Sequence, residues 1–208
     1  RNEDSRTVYV RVADAEAFAP QDFSFASEEP VILIEGPVSG VTVSGFQILG
    51  GNIGIGVCKG AARCIVEDNV ISGCRDSISL IGDGGGNHIR RNTCTWNYIK
   101  SLDPNSRDHV QTWRRVKSQG FKDGRGIALT DHGDGNQVYE NQVFDHWGGV
   151  QTVEDWGKDR PARGTKVFRN TITNICDDGL EPTGCEVDSE WFENRVFNAG
   201  QGIRMKNC

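Results

Sequence analysis

The chain has 208 residues, a formal net charge of −6, 26 glycines, one methionine and 36% hydrophobic residues. That length supports one domain with a substantial core, while the acidic balance argues against a broad nucleic-acid surface and no apolar run approaches the ~18 residues of a membrane span. Glycine spread evenly through a chain calls for many turns, which points to an all-β or repeat architecture and away from a helical globule.

Residues 1–40 read as an N-terminal strand or cap segment. The opening RNEDSRTVYV has no signal-peptide pattern, and the expectation is a mature or truncated segment of a longer protein. From residue 41 a pattern recurs. VTVSGFQI (41–48) is its first copy, with Phe46 where later copies carry asparagine. IVEDNVIS (65–72), IRRNTCT (89–95), VYENQVF (138–144), VFRNTIT (167–173) and WFENRVF (191–197) follow. Their asparagines, Asn69, Asn92, Asn141, Asn170 and Asn194, are separated by 23, 49, 29 and 24 residues. The interval of 49 is close to two periods, with residues 99–119 reading as an insertion inside it.

A second short segment follows each copy: GIGV (54–57), SISL (77–80), GIAL (126–129), GVQT (149–152), GLEP (179–182) and GIRM (202–205). Small or apolar residues alternate with variable ones there, as in half-buried strands. A leucine-rich repeat has a similar period but needs a leucine consensus that is absent. The reading for residues 41–208 is therefore a right-handed parallel β-helix solenoid of about seven coils stacked roughly 4.8 Å apart. The aligned asparagines then form a ladder, each amide bonding to the coils above and below. Cys94 takes the inward position of Ile71, Val143, Ile172 and Val196, so it reads as a small core residue.

Two loop insertions, 98–120 and 155–164, leave the repeat from opposite sides of the G-I-x-L strand. Loops that long in a tight coil carry function or lack structure. The first holds Arg107, His109, Trp113, Arg114, Arg115 and Lys117; the second holds Trp156, Arg160 and Arg163. Arginine suits carboxylates or sulfates and tryptophan suits sugar rings. Seven cysteines show no zinc-like spacing. Cys185 lies five residues after Leu180 and Cys208 five after Ile203. If those two inward residues stack, the cysteines do too, at a spacing that suits a disulfide. Such a bond would close a loop of about 24 residues, worth ~3 kcal/mol.

This pattern over residues 40–207 resembles the pectate-lyase-like β-helix superfamily and, more closely, the right-handed β-helix repeat proteins of bacteria. CDDG (176–179) and GIRMK (202–206) resemble the Asp-Asp pair and R-I-K strand of polygalacturonases; DHG (131–133) echoes their G-H-G, although here it precedes the Asp pair. The resemblance implies a polysaccharide groove on the face of the G-I-x-L strands. Outward residues Ser79, Ala128, Gln151, Glu181 and Arg204 would line it, with Asp76 and Asp178 before the strands and Asp131, His132, Glu154 and Asp155 after them. Two chemistries then stand open. β-Elimination on a uronic acid polymer needs a base and a counter-charge for the carboxylate; Arg204, Lys206 or His132 would be the base, and Asp155, Asp178 and Glu181 would hold Ca²⁺. Glycoside hydrolysis needs paired carboxylates, for which Asp178 and Glu181 are placed. Gln151, Trp156, His109, Arg114, Arg115 and Arg160 would bind substrate.

The function expected is cleavage or epimerisation of an anionic glycan by a secreted, extracellular or periplasmic protein. The alternative is a non-catalytic β-helix adhesin or a structural segment of a larger extracellular assembly. Expected partners are a polysaccharide and further chain or subunits stacking on the C-terminal coil, with no nucleic acid and no membrane span.

Overall fold

A computed structural model of the chain describes residues 29–82, 84–96, 123–153, 161–184 and 186–206. The described residues form strands and turns with no helix, so none of them makes a helix long and apolar enough to cross a membrane. Six three-residue strands make one parallel sheet: β2 (Thr42–Ser44), β4 (Ile65–Glu67), β6 (His88–Arg90), β9 (Gln137–Tyr139), β12 (Lys166–Phe168) and β14 (Glu190–Phe192). Nine strands make the other: β1 (Pro30–Glu35), β3 (Gln47–Cys58), β5 (Val70–Ile81), β7 (Thr93–Thr95), β8 (Arg125–Thr130), β10 (Gln142–His146), β11 (Gly148–Val153), β13 (Thr171–Thr183) and β15 (Arg195–Ile203).

Each strand pairs in parallel with its equivalent in the next repeat, and three apolar columns result. The first is Val43, Val66, Ile89, Val138, Val167 and Trp191. The second is Ile48, Ile71, Cys94, Val143, Ile172 and Val196. The third is Ile55, Ile78, Ile127, Val150, Leu180 and Ile203. These columns are the core, and Cys94 is fully buried within it. β1 adds a strand ahead of the third column, with Ile32 beside Ile55. The pairing of Ile89 with Val138 makes the long interval a single repeat that carries an insertion. Loop 98–120 and the 155–160 part of the second insertion lie outside the described residues, as do Cys185 and Cys208, on which the disulfide expectation falls. Among the described residues there is no disulfide.

The asparagines form the ladder that the spacing predicts. The backbone N–H groups of Phe46, Asn69, Asn92, Asn141 and Asn170 donate to the side-chain oxygens of Asn69, Asn92, Asn141, Asn170 and Asn194 in turn, at 2.9–3.1 Å. Each Nδ2 also donates to a carbonyl of the preceding repeat: Asn69 to Val43, Asn92 to Val66, Asn141 to Ile89, Asn170 to Val138 and Asn194 to Val167. A buried amide with all its groups bonded avoids the cost of an unpaired polar group. The residue before each ladder asparagine, Asp68, Arg91, Glu140, Arg169 or Glu193, is left-handed at φ 53–57°. That conformation costs about 1–2 kcal/mol per residue, which the ladder bonds offset.

Glycine opens most of the G-I-x-L strands for a packing reason. A Cβ on Gly54 would stand 2.7 Å from Ile71 Cγ2, and one on Gly179 would stand 2.6 Å from Val196 Cγ1. Glycine and the following apolar residue both face the core, so the chain turns a corner there. That corner is what puts Asp178 and Glu181 on the same outer side. An unbroken strand places residues three apart on opposite faces.

Candidate active site

The outer side of the third column carries two rows of side chains. In the row before the corner, Asp76, Arg125, Gly148 and Asp178 follow one another across adjacent strands. In the row after it come Ser79, Ala128, Gln151 and Glu181, and Arg204 follows Glu181 in the next repeat. Ser79, Ala128, Gln151 and Glu181 are all buried. Neighbouring cations fold over part of the row. Arg125 Nε donates to Gln151 Oε1, and Lys206 Nζ donates to Glu181 Oε1.

Four of the five proposed catalytic side chains come together. Arg204 Nη1 lies 3.5 Å and Lys206 Nζ 3.9 Å from Asp178 Oδ2, and Lys206 also holds Glu181. The Asp178 carboxylate is buried beneath these two half-exposed cations, and among the described residues neither of its oxygens has a hydrogen-bond partner. Burial first, then the charges of Asp177 and Glu181, push its pKa up to about 6, against the opposing pull of Arg204 and Lys206. A group with that pKa exchanges its proton readily in mildly acidic water. Asp76 occupies the same row but is fully engaged: Arg75 Nη2 lies 2.8 Å from Oδ2, and the Arg125 N–H donates to Oδ1 at 2.8 Å.

His132 sits on the turn after β8, against Gly133 and Glu186. Its ring is buried, with Nε2 2.7 Å from Glu186 Oε1 and Nδ1 3.0 Å from the Gly133 carbonyl oxygen. That carboxylate lies two repeats away, so the contact ties the turn after β8 to the turn before β14. Trp156, His109, Arg114, Arg115, Arg160 and Asp155 lie outside the described residues. Among the described residues no group of three His, Cys, Asp or Glu side chains is placed to hold a metal. Asp178 and Glu181 already have Arg204 and Lys206 as the counter-charge that Ca²⁺ would supply.

Two features escaped the sequence reading. Arg125, immediately before GIAL, bridges Asp76 and Gln151; its signal was a charged residue in the position equivalent to Asp178. A second, shorter ladder runs through Asn87 and Asn136. Cys64 N donates to Asn87 Oδ1 at 2.8 Å and Asn87 N to Asn136 Oδ1 at 2.9 Å. The repeated Gly-Asn-x-apolar at 86–89 and 135–138 was the available sign of it.

No protein-family model, no curated protein and no solved structure matches this chain.

Proposed function

We propose that the chain winds as a right-handed parallel β-helix solenoid of about seven coils, of the pectate-lyase-like kind, and that it is a secreted protein hydrolysing an anionic polysaccharide. The pairing of each strand with its equivalent in the next repeat supports the winding. The observation that carries the activity is the Asp178 carboxyl, raised to about 6 beside a second carboxylate and two cations. Two carboxyl groups in different environments are what glycoside hydrolysis requires. Asp178 in its protonated form donates to the leaving oxygen. Water forms the new bond to the anomeric carbon as the glycosidic bond breaks, and Glu181, the second carboxylate, takes its proton. Arg204 and Lys206, half exposed over Asp178, swing onto the carboxylate or sulfate of the glycan and uncover the acid. Hydrolysis fits better than β-elimination because the buried carboxyl supplies the proton and both cations have a task in binding the acid group of the glycan.

The test is a reducing-end assay, with parallel detection of unsaturated ends, on a panel of uronates and sulfated glycans. Turnover without unsaturated ends, abolished by Asp178→Asn and falling as pH rises through about 6, is the expected result. Unsaturated products would establish elimination in its place. Binding without turnover would establish a non-catalytic adhesin, the alternative reading of the same surface.

A further inference from the structure

We propose that Arg125 is an anion-binding residue, the centre of a site on the outer side of β8 and β11 that takes one carboxylate or sulfate group of the ligand. The class of ligand rests on the proposed function; the site itself does not.

Arg125 stands in the row that runs Asp76, Arg125, Gly148 and Asp178 across adjacent strands, and it is only partly buried. Two contacts aim it. Its backbone N–H donates to Asp76 Oδ1 at 2.8 Å, and its Nε donates to Oε1 of the buried Gln151. The side chain therefore leans from β8 toward β11, the strand paired with β13, which carries Asp178 and Glu181. With Nε held, the two Nη groups form the end of the fork, which takes an oxyanion through parallel N–H···O bonds.

Charge sets Arg125 apart from its neighbours. Arg75 has Asp76, Arg204 has Asp178, and Lys206 has Asp178 and Glu181. Arg125 has the neutral amide of Gln151, and among the described residues no carboxylate is ion-paired with it. Asp76 is already engaged, its Oδ2 by Arg75 and its Oδ1 by the Arg125 N–H. A guanidinium stays charged in a protein, and one partly buried without a counter-charge favours an anion from outside.

The row also leaves room beside it. Position 148, equivalent to Asp178, is glycine, so the side chain that could have supplied a carboxylate is missing. A Cβ there would make ordinary contacts only, 3.4 Å from Gly124 O and 3.5 Å from Arg125 Cγ. The strands of Arg125 and Asp178 are two spacings apart, roughly 9.5 Å. A glycan with several acidic groups therefore meets Arg125 with one unit and Arg204 and Lys206 with another.

The test is NMR on the labelled 208-residue chain, read at the Gly148 N–H and the Gln151 side-chain amide. Sodium glucuronate or sodium sulfate replaces sodium chloride at constant ionic strength. The expected result is a saturable shift that chloride does not give, and the tighter of the two anions identifies the group preferred. Arg125→Gln abolishes the response, and Arg125→Lys weakens it on the order of 10-fold by losing one charged hydrogen bond. Gly148→Asp places an internal carboxylate beside the guanidinium and also abolishes it, whereas Gly148→Ala responds like the parent. That pair separates occupancy of the site from failure to fold. No saturable shift with either anion overturns the proposal, as does a shift that survives Arg125→Gln. Anion binding at Arg125 without glycan turnover keeps the site and removes the hydrolase reading; turnover without anion binding there does the reverse.

Discussion

Asp76 and Asp178 share a row of the repeat; Asp76 is hydrogen-bonded, and Asp178 has no hydrogen-bonded partner among the described residues. Its raised pKa favours the protonated form in the fold. The stability it contributes is fully present below the unfolded value near 3.9 and is lost as pH rises through about 6. His146 acts in the opposite sense. It is fully buried, its Nδ1 accepts from Trp147 N at 3.0 Å, and burial pushes its pKa down to about 3. Its contribution is present above the unfolded value near 6.5 and is lost as pH falls toward 3. Between about pH 4 and 6 the two effects oppose each other. Urea unfolding of Asp178→Asn should therefore show stability rising with pH across that window, by up to about 1.4 kcal/mol per pH unit. The same variant should gain about 1–3 kcal/mol over the parent at pH 7 and little at pH 3.5. His146→Gln should show the reverse slope, and a parental slope in both variants would contradict these environments. Asp178 was legible in the sequence because its place in the repeat put it on the outer side. The fate of His132 was not, because Glu186, which holds it, is 54 residues away in sequence.

Between strands, the glycine at each corner decides how closely the columns stack. A Cβ on Gly149 would stand 2.9 Å from Ile172 Cγ2 and would meet the carbonyl of Gly179, whereas a Cβ on Gly202 meets nothing within 4 Å. Gly149→Ala should cost about 1–3 kcal/mol or more. Gly202→Ala should stay within about 0.5 kcal/mol. Equal effects, measured by chemical denaturation, would mean that the last corner is not open. The ladder makes a parallel case. Asn141→Ala removes a buried amide that donates to Ile89 O and Tyr139 O and accepts from Asn92, and should cost roughly 2–4 kcal/mol by stranding those groups. Asn194→Ala, at the partly exposed end, should cost about half as much. Five asparagines in one column made this ladder legible. The Asn87–Asn136 pair was not, because Cys64 and Thr165 fill the flanking positions and the column shows no common residue type. The corners were legible only as glycines. That β3, β5 and β13 run on through the bend as single strands of 12 or 13 residues depends on backbone pairing, which side-chain alternation does not reveal.

Over the whole molecule, the period is legible because no repeat can bury its apolar face except against the next. Each column must therefore return an apolar residue every turn, and Ile71, Cys94 and Val143 do so with three residue types. Insertions obscured the count. The interval between Asn92 and Asn141 equals about two periods in length, and only pairing distinguishes a missing coil from one that carries a loop. The burial of Gln151 and Glu181 was not legible either, because it involves cations, Arg125 and Lys206, that lie in other repeats. Winding, ladder and site all rest on a single register across the segment 97–122. Backbone NMR on the labelled chain tests that register directly, through Hα-to-amide contacts between paired strands. The account predicts contacts joining β6 to β9 in the register that sets Ile89 beside Val138, 49 residues apart, together with those joining Ile78 to Ile127. Contacts from β6 to β4 but none to β9, or a register in which Gln137 or Tyr139 replaces Val138 as the inward residue, would contradict it.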